Sequence, residues 1–186
     1  MLESRAEKYT AKEFHDFLSK DKTNARYELI DGHVYMMTSP SVNHQSISLF
    51  ICDVFNSYFK ENDCRLFYAP LDVYLFDNID DCKNVCQPDL LVVCDKNKIK
   101  SNGIYGAPDL VVEIISKTTA SIDYILKYKN YMKYGVKEYW IVDYGNDEIT
   151  VCTSIEDYIS YGFSETVPSS FFPGLTVDFS EFKSDF

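Results

Sequence analysis

Two acidic motifs and one lysine carry the chemistry this chain could perform. The stretch PDLVVEIISKTTASIDYILKYKNY spans 108–131, and QPDLLVVCD spans 87–95. Each carries Pro-Asp at or next to its start, and the later one adds Glu113 inside an apolar run. Asp109 and Glu113 are four residues apart; at strand rise they stand roughly 13 Å apart, too far to share an ion. Asp109 is therefore read as a strand-start residue. Asp89 comes from a different apolar run, so strand pairing can bring it beside Glu113. Two carboxylates, completed by waters and a substrate phosphate, are the minimum set for Mg²⁺. A metal so held polarises a phosphodiester and acidifies a water. The bland alternative is a pair of strand-end acids meeting solvent. Glu113 weighs against it, because a glutamate flanked by Val112 and Ile114 is costly to bury without a partner.

Phosphoryl chemistry of this kind also wants a cation near the reacting phosphate. Two residues after Glu113 stands Ile115 instead of a lysine. The spacing predicts a helix over 119–134, capped by Thr118 or Thr119 and ended by Gly135. On it Asp123, Lys127 and Tyr131 recur every four residues and share a face. A lysine beside the core stripe of Ile122, Leu126 and Met132 has a stem long enough to reach the strand ends. The competing reading is an exposed Asp123–Lys127 pair worth a few tenths of a kcal/mol.

The rest of the chain must position these groups. A length of 186 residues fits a single domain over 1–186, and 46% apolar with 16% aromatic residues supplies a core. TAKEFHDFLSK (10–20) reads as a helix with Thr10 and Glu13 as a capping box. RYELIDGHVYMM (26–37) reads as a hairpin about Asp31-Gly32. A helix is expected over about 42–61, and one or two strands over 65–76 around Pro70. The runs 85–95 and 108–116 read as central strands, apolar on both faces. KEYWIVDY (137–144) and EITVCT (148–153) read as a strand and its hairpin partner, and the remainder as edge strand and tail. Strand 108–116, helix and strand 137–144 suggest a crossover unit, so the class is α/β or α+β, a mixed sheet with helices on its faces. Trp140, Tyr131 and Tyr139 read as packing aromatics, His15 and His33 as surface.

Composition bounds the function. Net charge is −11 with pI about 4.6, which opposes a general nucleic-acid binder. Yet five lysines fall within 117–137 and three more within 95–100, a distribution compatible with a local phosphate-binding face and equally with solvated surfaces. No apolar run approaches the roughly 20 residues of a membrane span, and the N-terminus carries no signal core, so a cytoplasmic protein is expected. The six cysteines are expected as reduced thiols. Cys82 and Cys86 form the only close pair, with no second pair to complete a zinc site.

Taken together, RYELIDGHVYMM, SPSVNHQ, APLDVYLF, QPDLLVV, GAPDLVVEIIS, DYILKYKNYMKYGVKEYWIVD and FPGLTVDF occur in the order seen in a known family. Over about 10–180 the chain resembles the Uma-type family of restriction endonucleases, within the PD-(D/E)XK nuclease superfamily. The resemblance implies a restriction-endonuclease-like mixed sheet with an N-terminal hairpin and added C-terminal strands. It implies a Mg²⁺- or Mn²⁺-dependent endonuclease acting on DNA, and a homodimer. Its acidic set falls on Glu28, Asp89 and Glu113, and its helix-borne lysine on Lys127. Asp89 and Glu113 are the implied metal ligands, and Glu28 an outer-shell group, a second metal position or else a hairpin surface residue. His44 in the loop-to-helix block is either a phosphate or substrate contact at a helix start or a capping or packing histidine. Asp72 is implied to border the site, with Asp123 a further neighbour. Lys117 departs from the family, which often carries proline there. The rival expectations are a catalytically silent binding module with the same fold, and a metal-dependent phosphodiesterase acting on RNA or another substrate.

Overall fold

The computed structural model describes residues 8–115 and 126–183. Thr10 accepts from the Glu13 amide while Glu13 reaches back to the Thr10 amide, and this capping box opens α1 (Ala11–Lys20). β1 (Tyr27–Ile30) and β2 (His33–Met36) pair antiparallel across Asp31 and Gly32. Both turn residues hold positive φ (51° and 82°), as a two-residue turn matched to strand twist requires. Ser41 caps α2 (Val42–Phe59), whose Ile47, Ile51, Phe55 and Phe59 are buried. β3 (Arg65–Tyr68) and β4 (Val73–Leu75) flank Pro70 and enter different sheets.

The apolar run 85–95 differs from expectation. It divides into β5 (Asn84–Cys86) and β6 (Leu90–Val93), and the chain changes sheet through Gln87-Pro88-Asp89. Proline has no N–H to give a ladder, so it suits the crossing. β7 (Ile99–Lys100) and β8 (Gly103–Tyr105), a short hairpin, were not foreseen. β9 (Leu110–Ile115) and β10 (Glu138–Asp143) run parallel, the crossover unit expected from the sequence. Of the helix expected over 119–134, α3 (Tyr128–Tyr134) is described, and Gly135 ends it at φ 96°. Its expected cap, Ile122 and Asp123 lie outside the described residues. β11 (Glu148–Cys152) and β12 (Tyr158–Gly162) continue as hairpins, and β13 (Thr166–Pro168) pairs with β14 (Thr176–Asp178).

Among the described residues two six-stranded sheets result, ordered β2-β1-β5-β4-β8-β7 and β12-β11-β10-β9-β6-β3. Strand alternation sorts the core into layers. α1 covers the outer face of the first sheet through Ala11 and Phe14 against Leu29, Tyr74 and Val85. That sheet's inner face, with Ile30, Val73, Leu75 and Ile104, meets Leu91, Val93, Val111, Tyr139 and Ile141 of the second, and Tyr131 of α3 joins them. The far face of the second sheet, including Trp140, packs on α2 and the C-terminal strands. β12 is its outer edge and leaves Tyr158 and Ile159 exposed.

The expectation of reduced cysteines is corrected at one pair: Cys64 and Cys94 form a disulfide. β3 pairs β6 with Arg65 opposite Val93, so the next rung sets Cys64 against Cys94, their Cα atoms 3.9 Å apart. A sequence separation of 30 gave no hint of it. His15 is exposed, as expected, and its Nε2 lies 2.8 Å from Tyr74 Oη. No helix among the described residues is long and apolar enough to cross a membrane.

Candidate active site

The ladder between β6 and β9 pairs Leu90 with Val112 and Leu91 with Val111. One further rung would set Asp89 opposite Glu113. Along β9, Val111 and Ile115 face the inter-sheet core, and Glu113 shares their side by alternation. On β1, Glu28 shares the side of inward-facing Ile30 by the same rule. Three carboxylates from two sheets thus converge where the sheets meet.

Lys127 lies just before α3 and closes the gap between them. Its Nζ stands 2.9 Å from Glu28 Oε2 and 3.1 Å from Glu113 Oε1. Glu28, Glu113 and Lys127 are only 4%, 5% and 3% exposed. Lys127 is therefore no exposed partner of Asp123, which lies outside the described residues, and Glu28 is no hairpin surface group. Tyr131, one turn after Lys127, is more than packing: its hydroxyl donates to Glu113 Oε1 at 2.9 Å. Complete burial, and then the Glu113 charge, push this phenol well above its usual range, so it remains a donor. Tyr139 does pack, against Tyr128 and Tyr131.

Asp89 is held differently. Its Oδ2 accepts from the Ile114 amide at 2.8 Å and from His44 Nε2 at 3.0 Å. His44 stands in the first turn of α2, where Ser41 caps its amide. Ser41 Oγ in turn lies 3.1 Å from Tyr144 Oη at the end of β10. His44 thus meets a carboxylate, with the capping role falling to Ser41. Asp109 behaves as the strand-start residue expected: it accepts from the Cys94 amide at 2.7 Å, away from this cluster.

Gln87 was not anticipated. Its amide N–H donates to Glu28 Oε1 at 2.7 Å and its Nε2 to Asp72 Oδ1 at 2.8 Å. Among the described residues Asp72 thus reaches the site through Gln87. The signal was present, since Gln87 sits two residues before Asp89, but an uncharged amide gives no electrostatic reason to single it out.

These groups line one cleft of about 570 Å³, with Glu28, His44, Gln87, Asp89, Glu113 and Lys127 in its wall. Among the described residues, two buried polar atoms of this wall have no hydrogen-bond partner, His44 Nδ1 and Gln87 Oε1. Among the described residues no three His, Cys, Asp or Glu side chains cluster closely enough to cage an ion unaided. Lys127 occupies the space between two of the carboxylates.

A mixed sheet that carries paired acids at its seam with a second sheet, and a lysine from the following helix, defines a restriction-endonuclease-like protein. The family model described as "Uma2: Putative restriction endonuclease" matches residues 11–180, and the chain belongs to that family. A crystal structure of a "putative nuclease" from Anabaena variabilis shares the fold, with a TM-score of 0.73 and 21% identity over 90% of this chain and 95% of that one. An uncharacterized protein of Synechocystis sp. is 29% identical over 112 residues. That match covers 60% of this chain and 57% of the relative, little more than half its length.

Proposed function

We propose that the cleft hydrolyses phosphodiester bonds in nucleic acid, DNA foremost, with Mg²⁺ or Mn²⁺ held by Asp89 and Glu113. The observation that carries this is the reach of Lys127 to Glu113 on the side where the ladder directs Asp89. The donor set suits a hard cation: it is all oxygen and imidazole, it carries three carboxylates, and the buried Gln87 Oε1 has no donor among the described residues. Two carboxylates without a complete cage fit an ion that keeps most of its waters. Such an ion would supply Lewis-acid polarisation of the phosphodiester and an acidified water.

The chain's own groups do the rest. The Ile114 amide and His44 both grip Asp89 Oδ2 and fix its carboxylate plane. Tyr131 and Lys127 fix Glu113 through Oε1. Glu28 holds the Lys127 ammonium at the seam, where it offsets charge developing on the phosphoryl oxygens. The resemblance to restriction enzymes extends the proposal to a homodimer that cuts both strands.

Plasmid nicking with Mg²⁺ or Mn²⁺ tests this. Wild type is expected to nick, and Glu113→Gln to lose at least about a hundredfold, the scale of removing one preorganised transition-state group. Full activity in Glu113→Gln overturns the assignment. Metal binding without cleavage of DNA or RNA favours a binding module, the reading to which the net charge of −11 points. Cleavage of RNA alone shifts the substrate and keeps the chemistry.

A further inference from the structure

Gln87 occupies the single step by which the chain passes from β5 to β6, between Cys86 and Asp89. Its backbone serves Glu28 and its Nε2 serves Asp72, while its Oε1 is buried in the cleft wall with no partner among the described residues. This orientation is not arbitrary. Turning the amide over would set Oε1 against the Asp72 carboxylate, acceptor against acceptor, so the group left over must be the oxygen. A buried acceptor without a donor is expensive to keep. Here it stands two residues from Asp89, in a cleft already rich in acceptors. What Gln87 Oε1 lacks, among the described residues, is a donor or a cation.

We propose that Gln87 belongs to the cation-holding set of this cleft. Its Oε1 receives the hydrated divalent ion, and Asp72 is the positioning residue that keeps the oxygen turned inward. This rests on the metal-dependent reading above and adds two residues to it. It also gives Asp72 a task at a distance: the carboxylate sets which end of the Gln87 amide the ion meets.

Calorimetric titration of Mn²⁺ into the full chain tests the proposal without recourse to activity, with thermal melts of the metal-free protein alongside. Gln87→Met keeps the side-chain length and removes both amide groups. It should weaken Mn²⁺ binding by roughly tenfold or more, the usual effect of losing a supporting group at a metal site. Asp72→Ala should weaken it too, although Asp72 is not part of the cleft wall. The double variant Asp72→Asn, Gln87→Glu reverses the direction of their hydrogen bond and leaves an oxygen facing inward, so binding should recover. A folded Gln87→Met with wild-type affinity overturns the inference and leaves the metal-dependent reading intact. A folded double variant that stays weak overturns the positioning role of Asp72. Wild type that binds neither Mn²⁺ nor Mg²⁺ overturns the metal-dependent reading itself, and this inference with it.

Discussion

Lys127 stands between Glu28 and Glu113 with almost no access to water, so its replacement exposes how the charges balance. Lys127→Met leaves two buried carboxylates at one seam without their cation, and chemical denaturation should show a loss of about 3–5 kcal/mol. Adding Glu28→Gln and Glu113→Gln to that variant should restore most of it, because an uncharged cluster needs no counter-ion. Tyr131 supplies the pH dependence. Its folded pKa lies well above 10, through burial first and Glu113 second, whereas an unfolded tyrosine ionises near 10. The folded protein therefore binds more protons at high pH; the contribution is full below about pH 10 and is lost as pH climbs toward the folded value. Tyr131→Phe should flatten the alkaline limb of the stability curve, while phenolate absorbance still rises from Tyr74 and Tyr128, whose ionisation burial also delays. At this scale Asp89, Glu113 and Lys127 were legible, because a charge among apolar neighbours announces a partner. Gln87 and the Tyr131 hydroxyl were not, because their significance lies in which way a neutral dipole points.

The element that delivers Lys127 ends in a residue only glycine suits well. Gly135 holds φ 96° and ψ 26°, its amide donating to the last turn of α3. A Cβ there would meet nothing within 4 Å, so Gly135→Ala measures backbone strain alone. Denaturation should show a loss of about 1–2 kcal/mol, with nicking scarcely changed, since Lys127 sits at the opposite end of the helix. That glycine, the Asp31-Gly32 turn and the Thr10–Glu13 box were all readable, because each is a local demand met by one residue type. The division of 85–95 between two sheets was not. Leu90 to Val93 are buried on both faces and so are Asn84 to Cys86, and a continuous apolar run carries no mark of which sheet owns it. Pro88 was the one local sign of the break.

Across the whole molecule, the mixed α/β class followed from pattern, but the count of sheets did not. Pairings such as β4 with β8 and β3 with β6 depend on shape and long-range burial, which spacing along the chain does not encode. The Cys64–Cys94 link is invisible for the same reason: it is a rung of a non-local ladder. The site inherits this architecture, with Glu28 from one sheet, Glu113 from the other and Asp89 just before β6, so it exists only when the two have docked. The outer edge of the second sheet has a further consequence. Among the described residues β12 pairs with β11 alone, and it carries exposed Tyr158 and Ile159 with no charged residue along Tyr158–Gly162. Such an edge invites another chain to add a strand. Ile159→Lys should lower light scattering and concentration-dependent self-association while leaving the melt unchanged. Crowding and overexpression are then the conditions under which self-association through β12 is expected first, and β12 is where a solubility repair belongs.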